Sequence, residues 1–239
     1  MQHSRIAKLI SFFLLCPLTI NSTFSKNIDN QFLSNQLEQS LNANRNDALK
    51  ELFVKKSFKK FNKYYLDFQK NYTDTKWTIK TISNDLEETI LDVKITSNTE
   101  IDDQIYSLKS KQIVKIKTLN NKIKSYNIIN EESILNSQDS PLVIKIISPD
   151  NVLTGERYEI NLIIEKPLDN SLIASGMIVL KNNRNINQSN DEFGIKPNQS
   201  GGLFKYIQAP LEPGSQTISA IITHPEGIYT MTKKIKVGL

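Results

Sequence analysis

Phe32, Leu33, Leu37 and Leu41 recur at helical spacing, which predicts a first helix ending near Asn42–Asn44. Asn46-Asp47 then has the form of a cap followed by a first-turn acid, opening a short helix through Ala48, Leu49, Leu52 and Phe53. Phe58, Phe61, Tyr65, Phe68 and Tyr72 form one aromatic stripe on a third helix, whose other face carries Lys55, Lys56, Lys59, Lys60 and Lys63. The period changes at Trp77. Trp77, Ile79 and Thr81 begin an alternating run, and Leu91, Val93 and Ile95 alternate with Asp92 and Lys94. From Gln104 to Lys117 the even positions read Tyr106, Leu108, Ser110, Gln112, Val114 and Ile116. The odd positions hold Lys109, Lys111, Lys115 and Lys117, so one face is mainly apolar and the other cationic, as on a half-buried antiparallel strand. Asn120-Asn121 supplies the turn, and Ile123 to Ile129 the returning strand.

After the polar linker 137–141, helical periodicity disappears. Short alternating segments punctuated by Gly155-Glu156, Gly201-Gly202, Pro213-Gly214 and Pro225 to Gly227 predict about seven strands, enough for a β-sandwich. Asn182 to Ser200 is Asn- and Gln-rich and reads as a long loop with a poor strand near Phe193. The expected fold class is therefore α+β: three N-terminal helices on a curved antiparallel sheet over 26–136, then an all-β sandwich over 142–239.

The N-terminus adds a destination. Arg5 and Lys8 precede an apolar stretch from Leu9 to Ile20, and Thr23-Phe24-Ser25 puts small residues at −3 and −1 of a cut before Lys26. Residues 1–25 thus read as a signal peptide, with an uncleaved anchor as the alternative, and the protein as exported to a periplasm, lumen or the exterior. Cys16, the only cysteine, lies in that leader, so disulfides cannot staple the rest. Of the net charge of +5, Arg5 and Lys8 supply two, leaving +3 spread over both halves. That excess is too small to indicate a phosphate backbone as partner, and no nucleic acid is expected.

The helix triplet, Trp77 opening the sheet, the long strand to Lys117 and the close at 126–131 together resemble the nuclear transport factor 2-like superfamily over residues 30–135. The resemblance implies helices packed into the hollow of a curved sheet. It implies also that the family's enzymes, isomerases and dehydratases among them, are the alternative to a binding protein. Val152-Leu153-Thr154-Gly155-Glu156 and Leu211-Glu212-Pro213-Gly214, each before a strand, resemble bacterial immunoglobulin-like modules, which implies a spacer or docking surface.

Chemistry is sparse. His224 is the one histidine beyond the leader and reads as a loop residue; a Cys–His pair is impossible and zinc is not expected. Asn185, Asn187, Ser189 and Asp191 imitate a calcium loop, but Asn190 replaces the bend glycine and Lys196 the bidentate Glu. Glu87-Glu88, Asp102-Asp103 and Glu131-Glu132 read as solvated turns, since neighbours on an extended chain point to opposite faces. Asn71, Asn187 and Asn198 open glycosylation triplets that matter only in a eukaryotic source. No catalytic residue, metal ligand or cofactor is expected.

Ser110 and Gln112 stand out as polar residues on an apolar strand face, and with Tyr106 they are the candidate ligand-binding residues. Lys55, Lys56, Lys59, Lys60 and Lys63 are the candidate interaction surface, for an anionic membrane or partner, against the plainer reading of a solvated helix face. The sequence thus points to an exported, non-enzymatic binding protein for an unknown protein or small apolar ligand. Membrane contact is expected only through a retained leader, as in a subunit of an envelope complex.

Overall fold

The computed structural model describes residues 23–84, 88–138, 140, 142–166, 172–180, 193–198 and 201–238. Residues 1–22, Glu87, the calcium-like run 185–191 and the triplet at Asn187 lie outside these residues, as do the last two residues of the triplet at Asn198. Three helices come first: α1 (Thr23–Asn42), α2 (Asn46–Leu52) and α3 (Lys55–Asn71). Four long strands follow, β1 (Thr73–Asn84), β2 (Thr89–Ile101), β3 (Gln104–Leu119) and β4 (Lys122–Ser137). Then come β5 (Ile144–Ile147), β6 (Asn151–Val152), β7 (Arg157–Ile164), β8 (Ile173–Leu180), β9 (Lys196–Asn198), β10 (Gly202–Gln208), β11 (Gly214–His224) and β12 (Gly227–Val237). Three helices leading into an antiparallel, sheet-rich chain make the fold α+β. Asp102-Asp103 and Asn120-Asn121 both have positive φ, which a two-residue turn of the right twist requires, and they close the hairpins β2–β3 and β3–β4.

The strands do not fall into two separate sheets, one for each half of the chain. One sheet runs β1-β2-β3-β4-β12-β11-β8-β9, with β6 added beside β12; a small sheet runs β10-β7-β5. The junction is the pairing of β4 with β12, from Asn136↔Tyr229 to Glu131↔Lys234. Its two faces serve two cores. Leu135 packs with the helices and the inner residues of β1–β3, whereas its neighbour Ile134 and that residue's partner Met231 pack with β7, β10 and β11. The helices therefore cover one face of β1–β4, and the small sheet covers the opposite face of β12, β11 and β8.

This corrects both family resemblances. The chain is mostly strand, and the sheet of the nuclear transport factor 2-like expectation does not end at β4 but continues into the C-terminal half. An immunoglobulin-like module contained within 142–239 does not form either, because the free edge such a module needs at β12 is hydrogen-bonded to β4. In place of a strand near Phe193 there is the short β9, three residues on.

The far edge, β1, would present unpaired amides and carbonyls along its whole length. A polar stripe of α1 covers it. The Asn42 amide donates to the Trp77 carbonyl at 2.9 Å and accepts from the Trp77 N–H at 2.8 Å, as a neighbouring strand would. One turn back, Glu38 accepts the Ile79 N–H at 2.6 Å, and one turn further Ser34 accepts the Thr81 hydroxyl at 3.1 Å. Four helical residues rise about 6 Å and two strand residues about 6.7 Å, so the two ladders stay in step over three rungs. The adjacent stripe, Leu33, Leu37 and Leu41, enters the core.

At the junction Lys233, only 4% exposed, donates to Asp150 at 2.7 Å and Glu132 at 2.9 Å. Burial pulls its pKa down, but the two carboxylate bonds outweigh this and hold it above the usual lysine value. The same bond to Lys233 holds Asp150 below its usual value.

Two outcomes follow from these contacts. Asn42→Leu should lower stability by about 1–2 kcal/mol in urea titrations and produce self-association in light scattering, since it reopens the edge. Stability should be lost on both sides of neutrality: as pH falls through the depressed Asp150 value, below about 3.8, and as it rises through the raised Lys233 value, above about 10.5. Asp150→Asn should flatten the acid limb of a melting-temperature profile and leave most of the alkaline limb, because Glu132 still holds Lys233.

Candidate functional site

Two hollows compete for attention, and their chemistry separates them. The one of about 350 Å³ surrounds Lys111, Glu132, Asp150, Lys233 and Lys236, where both carboxylates are already held by Lys233 in the junction clamp. The other, of about 320 Å³, is a cleft between α3 and the helix-covered face of the sheet. From α3 it is lined by Tyr64, Asp67, Phe68 and Asn71, residues three and four apart along one stripe, and by Tyr72, which caps the helix. The sheet contributes Ile95, Leu108, Ser110, Gln112, Glu131, Ser133 and Thr232.

Register explains why those polar side chains meet. Ser110 lies opposite Ser133 and Ser133 opposite Thr232, while Gln112 lies opposite Glu131 and Glu131 opposite Lys234. Residues directly opposite share a face, so two rungs cross the floor of the cleft. Ser110 and Ser133 share a hydrogen bond of 2.8 Å, and the Ser133 hydroxyl donates to Glu131 Oε1 at 2.8 Å. Gln112 Nε2 reaches the same oxygen at 3.4 Å, a long bond. Both bonds converge on Oε1, and neither rung donates to Oε2. Lys234 also lies on this face, but its amine donates to the Ile128 carbonyl at 2.6 Å, and burial pushes its pKa down against the pull of Glu131.

Tyr64 forms part of the wall. The residue is half exposed, yet its hydroxyl group is pushed up to about 12, first by burial and then by the Glu131 carboxylate, with a Gln112 hydrogen bond opposing. Phe68 and Tyr72 stack at 4.6 Å between centroids, and Phe68 packs on Trp77 at 5.6 Å, so the aromatic wall is anchored in the core.

Of the candidates read from the sequence, Ser110 and Gln112 both line this cleft. Tyr106 does not; its hydroxyl donates to Gln104 at 2.9 Å at the far end of β3. The lower part of the aromatic stripe is core: Phe61 stacks on Phe53 and Tyr65 and leaves an apolar gap of only about 70 Å³. The lysines of α3 are exposed, but Lys109 to Lys117 emerge on the opposite face of the sheet, so the two sets do not merge. His224 sits at the β11–β12 turn, where its Nδ1 accepts the Glu226 N–H at 3.1 Å. Among the described residues no group of three or more His, Cys, Asp and Glu is placed to hold a metal ion. No described helix is long and apolar enough to cross a membrane.

Glu131 and Ser133 were missed because β4 contains an irregularity. Ile113 pairs with Asn130 but Val114 with Ile128, so Ile129 is an extra residue and the alternation changes phase there. Glu131 and Glu132 sit mid-strand rather than in a turn, and they do point to opposite faces: one into the cleft, the other to Lys233.

Residues 139–238 match a family described as a domain of unknown function (DUF8623), a stretch that covers less than half of the chain. No curated protein matches the chain. The match leaves 30–135 untouched, which removes the remaining support for the nuclear transport factor 2-like reading there.

A titration checks the cleft. In the 295 nm difference between the wild type and Tyr64→Phe, Tyr64 should remain un-ionised at pH 11. Glu131→Gln should lower its midpoint only part of the way to 10.0, because burial, the larger cause, stays in place.

Proposed function

We propose that this chain is an exported binding protein whose cleft between α3 and the sheet takes a small organic cation, such as a primary or quaternary ammonium. One observation carries the reading: three aromatic side chains and two carboxylates, Asp67 and Glu131, line a single hollow that no cationic side chain among the described residues lines. An aromatic face attracts a desolvated cation by about 0.5–2 kcal/mol, and a carboxylate beside it adds the counter-charge. Lys234, the nearest competitor, is engaged by a backbone carbonyl. A volume of about 320 Å³ suits a small molecule, whereas the apolar gap deeper in the helical core is too small for one. Export rests on the basic, apolar and small-residue order of residues 1–25.

Calorimetry with choline and its uncharged isostere 3,3-dimethylbutan-1-ol tests the proposal. Choline should bind and the neutral alcohol should bind at least tenfold more weakly. Glu131→Gln and Tyr64→Ala should each weaken choline tenfold or more while leaving the melting temperature nearly unchanged. Equal affinity for the two probes, or none for choline and tetramethylammonium alike, sinks the proposal.

A further inference from the structure

A second surface lies at the end of the sheet where the hairpin β3–β4 turns. There α3 begins: the Val54 N–H donates to the Ile123 carbonyl at 3.0 Å, and the Ser57 hydroxyl donates to the Lys124 carbonyl. Lys55, Lys56, Lys59 and Lys60 occupy its first two turns, all exposed, with Lys124 exposed on the adjoining strand. The acids Glu51 and Glu88 are taken up by Lys122 and by the pair Lys115 and Lys117.

This placement costs stability. The start of a helix is the positive end of its dipole, where acids are favoured and cations are not, and α3 has no acid in its first turn. Lys60 recovers a little by lying over the Tyr126 ring at 5.6 Å. Two lysines, Lys55 and Lys56, stand where the local field opposes them, with Lys59 and Lys60 one turn on, and the cluster points to an anionic partner outside the molecule.

The same end is also apolar. The rungs Thr81–Ser34, Ile79–Glu38 and Trp77–Asn42 fix the direction of α1, whose first residues head toward this end of the sheet. Phe32 on α1 is 60% exposed, Ile82 at the irregular end of β1 is 59% exposed and Leu119 at the hairpin tip is 49% exposed. Basic side chains around isolated large apolar ones are what an anionic lipid surface receives: ammonium groups at the headgroups and apolar tips at the acyl boundary.

We infer that this end of the molecule rests on an anionic phospholipid surface through Lys55, Lys56, Lys59, Lys60 and Lys124, with Phe32 and Leu119 at the interface. The contact is independent of the cleft, which opens between the C-terminal half of α3 and the sheet. It extends membrane attachment beyond the leader alone to a face of the folded protein.

Flotation of the full chain with phosphatidylcholine vesicles, and with vesicles containing 30% phosphatidylglycerol, tests this; any contribution of residues 1–22 is common to every variant. The wild type should prefer the anionic vesicles by roughly a hundredfold at low salt and lose most of that preference at 0.3 M KCl. The variant K55Q/K56Q/K59Q/K60Q should bind both vesicles alike, with a melting temperature unchanged or raised because the dipole repulsion is gone. Leu119→Ser, at an exposed tip, should weaken binding severalfold without touching the core. Equal partition of the wild type into both vesicles overturns the inference, as does a quadruple variant that keeps the preference. Tight binding to heparin or duplex DNA with no vesicle binding also overturns it and assigns the lysines to a polyanion.

Discussion

Strand β4 has to close two cores at once, and most of the architecture follows from that. Its 16 residues pair with β3 on one side and β12 on the other, so neither half of the chain owns it. Adjacent residues of a strand face opposite ways. Leu135 can therefore complete the helical core while Ile134 completes the one beneath the small sheet. A change at either residue is felt on its own side first, but loss of the β4–β12 ladder would uncover both. The buried Lys233 sits on this ladder, tying β12 to β4 through Glu132 and to the segment before β6 through Asp150. A half-open pair of this kind adds modest stability, but it penalises any slip of one residue, which would turn Lys233 into the opposite face.

The sequence made the elements legible where one face is dry and the other wet. Phe58 to Tyr72 carries an unbroken period and Gln104 to Lys117 one interrupted only at Ser110 and Gln112, and both form the element predicted. Pairing between distant strands leaves no such trace. Nothing in Gly227–Val237 distinguishes a strand that closes its own sandwich from one that docks on β4, because both need the same alternation. The first helix was read through Phe32, Leu33, Leu37 and Leu41, and its second stripe, Ser34, Glu38 and Asn42, is polar and breaks no period that would single it out. Only the edge of β1 gives those three residues a task.

The site was half legible for a related reason. Ser110 and Gln112 could be recognised because they interrupt an apolar period. Their partners could not, since the extra residue at Ile129 shifts the phase of β4, and counting forward from Tyr126 and Ile128 assigns Glu131 to the wrong face. Bulges of this kind often re-aim a side chain beside a functional site. Here the bulge brings one carboxylate of an adjacent pair into the cleft and sends the other to the junction clamp.

The two polar rungs differ in how well they satisfy themselves. Ser110, Ser133 and Glu131 form a short chain with bonds of 2.8 Å, which offsets the cost of their burial. Gln112 is buried and its bond to Glu131, at 3.4 Å, is near the limit at which one counts. Valine at position 112 would remove that cost and add apolar contact with Val93 and Val114. An amide and a carboxylate held loosely opposite each other beneath an aromatic wall are, by contrast, what a cation of suitable size can draw together. Gln112 at this rung and the lysines at the start of α3 thus share a cost: each stands where its surroundings in the chain leave it incompletely matched.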